Sequence, residues 1–102
     1  MTGAIIQTLV TIGVNTIINT GVSLDHECII GDHVHIAPGA TISGGVEIGD
    51  NVLIGAGATI IQGIHVGASS VVGAGAVVTK DVREGVTVMG IPARVVKTSS
   101  TV

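Results

Sequence analysis

An aliphatic residue returns every six positions without a slip: Ile6, Ile12, Ile18, Leu24, Ile30, Ile36, Ile42, Ile48, Ile54, Ile60, Val66, Val72 and Val78. A fixed period held over thirteen matches marks one small unit stacked on copies of itself. Four residues after most of these comes a second small or aliphatic position, as in Val22, Cys28, Val34, Ala40, Val46, Val52, Ala58, Ile64, Ser70 and Ala76. The two apolar offsets are two residues apart, the spacing of side chains on one face of a strand. One residue after each anchor, turn-formers dominate: Gly13, Asn19, Asp25, Gly31, Ser43, Gly49, Gly55, Gly67 and Gly73. Gly, Asn and Asp tolerate positive φ, so a tight corner is expected to begin there. Strand and corner at constant length make a coil that stacks on itself. Helical periodicity is absent through residue 83, and no linker divides the chain. The expectation is an all-β solenoid over residues 1–83, a closing segment over 84–97 and a flexible tail over 98–102.

Composition agrees with a narrow interior. Hydrophobic residues make up 46% of the 102, yet there is no Phe, Tyr or Trp, and there are 16 glycines. Without rings to fill irregular gaps, the core must be uniform and aliphatic. The length suits one domain. A single cysteine, Cys28, permits no internal disulfide, which suits a reducing compartment. No apolar run is long enough to span a membrane, and the N-terminus lacks the basic start of a signal peptide, so a cytoplasmic protein is expected. The net charge of −3 argues against a general nucleic-acid binder. All four basic side chains, Lys80, Arg83, Arg94 and Lys97, fall in the last quarter. With Asp81 and Glu84 interleaved they suit either a solvated end cap or a contact for ligand phosphates.

The stretch SLDHECIIGDHVH, residues 23–35, is out of character with the rest. It holds three of the four histidines (His26, His33, His35) and three of the seven acids (Asp25, Glu27, Asp32). In the repeat frame His26 falls two residues after the inward Leu24, at an outward corner between two carboxylates. His35 falls five after Ile30, on the outward side of a strand. Neither is a core position. A zinc site would need three converging histidines, and the His33-x-His35 spacing does not supply them. Scattered threonines likewise exclude an ice-binding lattice. Cys28 falls at an inward offset and is expected to pack in the core.

The segment IIGDHVHIAPGATISGGVEIGDNVLIGAGATI resembles the hexapeptide repeat of the left-handed parallel β-helix acyltransferases. That resemblance implies three hexads per coil, a left-handed solenoid and a trimer. NTGVSLDHECIIGDHVHIAPGATISGG is further similar to the bacterial sialic acid O-acetyltransferases and UDP-4-amino-sugar N-acetyltransferases. By that resemblance His26 is the general base, Glu27 strengthens it, Asp25 flanks it, and His35, Ala56 and Ala74 contact acetyl-CoA. Asn19 matches a position near the acceptor substrate. GIPARVVK, residues 90–97, resembles the family's closing segment.

The residue types suit the chemistry. An amine or hydroxyl attacking a thioester carbonyl must lose a proton, and imidazole titrates near enough to neutrality to take it. A carboxylate on the other ring nitrogen would fix the tautomer. No serine or cysteine nucleophile is required. His26 and His35 are nine residues apart, half of an 18-residue coil, so they share a site only if a neighbouring subunit supplies one of them. In the groove so formed, small residues around Ala56 and Ala74 would admit a pantetheine arm, and Lys80 and Arg94 would meet nucleotide phosphates. Relatives of this kind begin with a separate Rossmann-like acceptor domain, whereas this chain starts almost directly on the first coil, which leaves the acceptor open between sugar and sugar nucleotide. The alternatives are a non-catalytic trimeric β-helix module without its acceptor domain, or a hexapeptide acyltransferase for another small acceptor.

Overall fold

A computed structural model describes residues 3–6 and 9–98. Each aliphatic anchor is the second residue of a two-residue strand. The strands are β1 (Ile5–Ile6), β2 (Thr11–Ile12), β3 (Ile17–Ile18), β4 (Ser23–Leu24), β5 (Ile29–Ile30), β6 (His35–Ile36) and β7 (Thr41–Ile42). The series continues with β8 (Glu47–Ile48), β9 (Leu53–Ile54), β10 (Thr59–Ile60), β11 (His65–Val66), β12 (Val71–Val72) and β13 (Val77–Val78). Every third strand pairs in parallel at a register of 18 residues, as in Leu24 on Ile42 and Ile42 on Ile60. Three flat faces result. Face A carries β1-β4-β7-β10-β13, face B carries β2-β5-β8-β11, and face C carries β3-β6-β9-β12. Among the described residues there is no helix. This parallel β-solenoid fits a left-handed β-helix.

Alternation along each strand sends the anchor inward and its neighbour out. Leu24, Ile36, Ile42, Ile54 and Ile60 are fully buried, and so are the second inward positions Val22, Cys28, Ala40, Val46, Ala58 and Ala76. Burying one such Leu or Ile is worth roughly 1.5–3 kcal/mol. Ser70, the one polar residue in this set, donates its hydroxyl to the Gly67 carbonyl at 2.6 Å, which makes its burial tolerable.

The corners work differently from the sequence expectation. Positive φ falls three residues after the anchors from Ile6 to Val72, at Asn15, Glu27, His33, Asn51 and Ser69 and at glycines such as Gly57, rather than one residue after. The glycine next to the anchor has another cause. A Cβ on Gly55 would stand 2.5 Å from the Ala74 nitrogen and 2.7 Å from the Gly73 carbonyl carbon, so the coils approach too closely there for any side chain.

Past β13, a bridge between Val66 and Val82 continues face B, and β14 (Val86–Met89) pairs in parallel with β12, completing a fifth coil. The chain then turns through Gly90 and a cis Ile91–Pro92 bond, and β15 (Arg94–Thr98) returns antiparallel on β14. Thr98, expected in the tail, pairs with Val86 inside β15. Residues 99–102 of that expected tail lie outside the described residues.

Candidate functional site

The ionisable cluster sits on the edge where face A turns into face B. Asp25, His26 and Glu27 form one corner, and all three are exposed. Asp25 Oδ1 accepts the His26 backbone N–H at 2.7 Å and lies 3.3 Å from His26 Nδ1. The carboxylate against the imidazole is therefore that of Asp25. Glu27, expected from resemblance to strengthen the base, has positive φ (61°) at the corner and makes no hydrogen bond or ion pair with His26. With Nδ1 turned to Asp25, Nε2 has no hydrogen-bond partner among the described residues. Side-chain exposures of 60% for His26 and 53% for Asp25 mean that solvent screens the pair, which is worth at most about 1 kcal/mol.

A second group lies along face C and the edge leading from C to A. His35 is the outward residue of β6, and Asn19 stands one coil before it, just past β3. Asn19 Nδ2 donates to the Ile36 carbonyl at 2.9 Å and lies 3.0 Å from His35 Nε2. Asn19, matched from sequence to an acceptor contact, is thus a partner of His35. Ala56 and Ala74 stack on the same edge one coil apart, joined by the Gly75 N–H bond to the Ala56 carbonyl at 2.9 Å. Both alanines are exposed, and a Cβ added at Gly57 or Gly75 would meet nothing within 4 Å. This edge is smooth and open enough for a thin chain to lie against the backbone.

Lys80 and Arg94 both line a concavity at the far end of the prism. Arg83, His65, Glu47 and Asp81 also line it, and its volume is about 870 Å³. His65 Nε2 is 3.5 Å from Glu47 Oε2, and its backbone N–H donates to Asp81 Oδ1 at 2.9 Å. His65 has the outward offset of Glu47 one coil before, with which it pairs in register, and that offset is readable from the repeat alone. Lys80 occupies the His26 edge three coils on, roughly 14 Å away at ordinary strand spacing. Among the described residues no group of three or more His, Cys, Asp or Glu could hold a metal ion. Within one chain the structure unites Asp25 with His26, His35 with Asn19, and Ala56 with Ala74, and it places Lys80 and Arg94 on one concavity. It keeps the His26 edge apart from the His35 face.

Residues 9–44 match the model of the bacterial transferase hexapeptide (six repeats), and residues 45–80 match that of the hexapeptide repeat of succinyl-transferase. A search of curated proteins returns no match. Among solved structures, a mutant perosamine N-acetyltransferase from Caulobacter crescentus, in complex with CoA and GDP-perosamine, is similar at 32% identity. The match covers 92% of this chain and 53% of that one, with a TM-score of 0.84. Serine acetyltransferase from Neisseria gonorrhoeae matches at 32% identity over 98% of this chain and 42% of that one, TM-score 0.91. A hexapeptide-repeat acetyltransferase from Vibrio cholerae complexed with acetyl coenzyme A matches at 31% identity over 92% and 62%, TM-score 0.87. The chain thus spans about half the length of the first two. An unbroken array of hexads from Ile6 to Val78, folded into stacked three-strand coils and matched by two repeat models, places this chain in the hexapeptide-repeat transferase family.

Proposed function

We propose that the protein transfers acetyl from acetyl-CoA to an amine or hydroxyl of a sugar or sugar nucleotide, with His26 as general base. The observation that carries this reading is the state of the imidazole. His26 is exposed at a corner, its Nδ1 faces Asp25, and its Nε2 is free toward solvent. The acceptor N–H or O–H attacks the thioester carbonyl carbon while Nε2 takes its proton; the C–S bond breaks and the proton passes to the departing sulfur, giving free CoA. Asp25 holds the ring and balances its positive charge while the proton is in transit. A positioned base of this kind contributes about 10²–10⁴-fold.

His35, Ala56, Ala74, Lys80 and Arg94 are assigned to acetyl-CoA. The open edge at Gly57 and Gly75 and the basic concavity support that assignment, as do the similar structures that carry CoA or acetyl-CoA. The working form is a cytoplasmic homotrimer in which the His26 edge of one subunit faces the His35 face of the next. Exposed apolar side chains on either side of His35, Ile17 and Leu53, support burial of that face. The GDP-perosamine complex favours a sugar-nucleotide acceptor. The likeness to serine acetyltransferase over 98% of the chain supports a second reading, O-acetylation of serine. Thiol release from acetyl-CoA, measured with UDP-4-amino-sugars, sialic acid and serine in parallel, tests both. Acceptor-dependent release with a sugar supports the first, release with serine alone the second, and no acceptor-dependent release with any of them overturns both.

A further inference from the structure

We infer that Gly44 is a positioning residue: its missing side chain is the recess in which the His26 imidazole lies. Gly44 stands one coil after His26 at the same corner. A Cβ built on it would fall 2.9 Å from His26 Nδ1 and 3.0 Å from Cε1, with the His26 carbonyl oxygen next at 3.5 Å. The first separation is shorter than a real Cβ allows and the second is tighter than nearly all of them, so the ring would have to move. The obstacle is different in kind from that at Gly49, Gly55 and Gly67, where an added Cβ meets the backbone of the following coil. At Gly44 the atoms in the way belong to one side chain.

The sequence makes the same point independently. Two residues after each anchor stand Thr8, Val14, Thr20, His26, Asp32, Pro38, Gly44, Asp50, Ala56, Gln62, Ala68, Ala74 and Lys80. In a chain with 16 glycines, this corner position is glycine once, directly beneath the histidine. Nor does the backbone require it, since Gly44 does not have the positive φ of its neighbour Gly45. Filling the recess would tilt the ring, draw Nδ1 from Asp25 and move Nε2 from its line to the acceptor. Misplacement of a catalytic group by about 1 Å can cost on the order of 10²-fold in rate.

The inference rests on His26 being the base, and the experiment separates the two. Gly44→Ala and Gly63→Ala are compared in the wild-type and His26→Ala backgrounds. Gly63 lies on the same edge one coil further, with φ of +75° and nothing within 4 Å of an added Cβ, so it controls for backbone strain. Gly44→Ala is expected to lower kcat by on the order of 10–10²-fold with the acetyl-CoA KM unchanged, and to shift the His26 ring resonances in NMR. Gly63→Ala should do neither. In the His26→Ala background, Gly44→Ala should cost nothing further in residual rate or Tm, because the ring it displaces is gone. If Gly44→Ala leaves both kcat and the His26 resonances unchanged while His26→Ala abolishes transfer, the recess is wrong and the base stands. An equal Tm loss from Gly44→Ala in both backgrounds overturns the recess as well. Should His26→Ala retain full kcat, the base assignment falls, and the NMR shift alone decides whether Gly44 seats the ring.

Discussion

The Asn19 amide fixes which nitrogen of His35 carries the proton. Its Nδ2 donates to the Ile36 carbonyl at 2.9 Å, which a side-chain oxygen could not do, so the same NH₂ group faces His35 Nε2 at 3.0 Å. Two donors cannot bond each other. Nε2 must accept, and the proton sits on Nδ1, free to be given to a ligand.

That arrangement predicts a spectroscopic signature. In ¹⁵N spectra His35 should have the Nδ1–H tautomer in the wild type and a mixture in Asn19→Ala. Acetyl-CoA affinity should fall by about 5- to 10-fold in Asn19→Ala, the equivalent of one lost hydrogen bond. An Nε2–H tautomer in the wild type contradicts the assigned pairing.

The His26 corner predicts an order of losses. His26→Ala should lower kcat by on the order of 10²–10⁴-fold. Asp25→Asn, which removes a charge from an exposed pair, should cost no more than about fivefold, and Glu27→Gln, with no contact to the ring, less again. The control at the next corner is best made as His33→Asn, because His33 has positive φ (56°) and Asn15 and Asn51 occupy the equivalent corner one coil before and after. It should keep near-full kcat. Steady-state transfer with the acceptor found in the thiol screen checks the series, and equal losses in His26→Ala and His33→Asn would refute the assignment of the base.

Much of this fold was legible because a six-residue period leaves few choices. The anchors Leu24, Ile36 and Ile54 are buried as the repeat required, and so is Cys28. The corners were less legible. Spacing marks where glycine recurs but cannot tell a residue that needs positive φ, such as Gly57, from one that needs no Cβ, such as Gly55; that depends on how closely the next coil packs. The outward placement of His26 and His35 was legible from the repeat frame, and both are exposed. Their partners were not legible. That Asp25 rather than Glu27 meets the ring depends on the corner's φ values, and Asn19 reaches His35 across a coil boundary 16 residues wide.

The two kinds of glycine should separate by stability. Gly55→Ala forces a side chain into the backbone of the following coil and should cost about 3 kcal/mol or more. Gly57→Ala meets open space but holds a left-handed φ of +68°, so its cost should be about 1 kcal/mol. Urea unfolding of both variants checks this, and equal costs would mean that the coils relax around Gly55.

Burial pushes the Cys28 thiol above its ordinary value, and its Sγ–H donates to the Ser43 carbonyl at 3.1 Å. The folded thiol holds its proton after the unfolded one has lost it. The stability linked to this group is therefore fully present below the unfolded pKa of about 8.5 and is lost as pH rises from there through the folded value. Between pH 7 and pH 10 the wild type should lose more Tm than Cys28→Val, and a thiol reagent should leave the native protein unlabelled at pH 7. Rapid native labelling would show that the thiol is not buried.

The face that carries His35 should be the subunit contact. Leu53 pairs in register with His35 on one side and Val71 on the other, yet 41% of it is exposed, and Ile17, beyond His35, is 53% exposed. Apolar side chains in a row on a flat strand face call for a cover, and a neighbouring prism bringing its His26 edge would provide one. Sedimentation equilibrium should give three times the 10.1 kDa chain mass. Leu53→Glu puts a charge at the contact, while the coil itself should tolerate it, since Glu47 is an exposed outward residue in β8. The variant should sediment as a monomer, keep the β signature in circular dichroism, and lose transfer because the His26 edge and the His35 face no longer meet. A wild-type monomer at micromolar concentration would sink both the trimer and the shared site. A Leu53→Glu protein that remains trimeric would move the contact to another face.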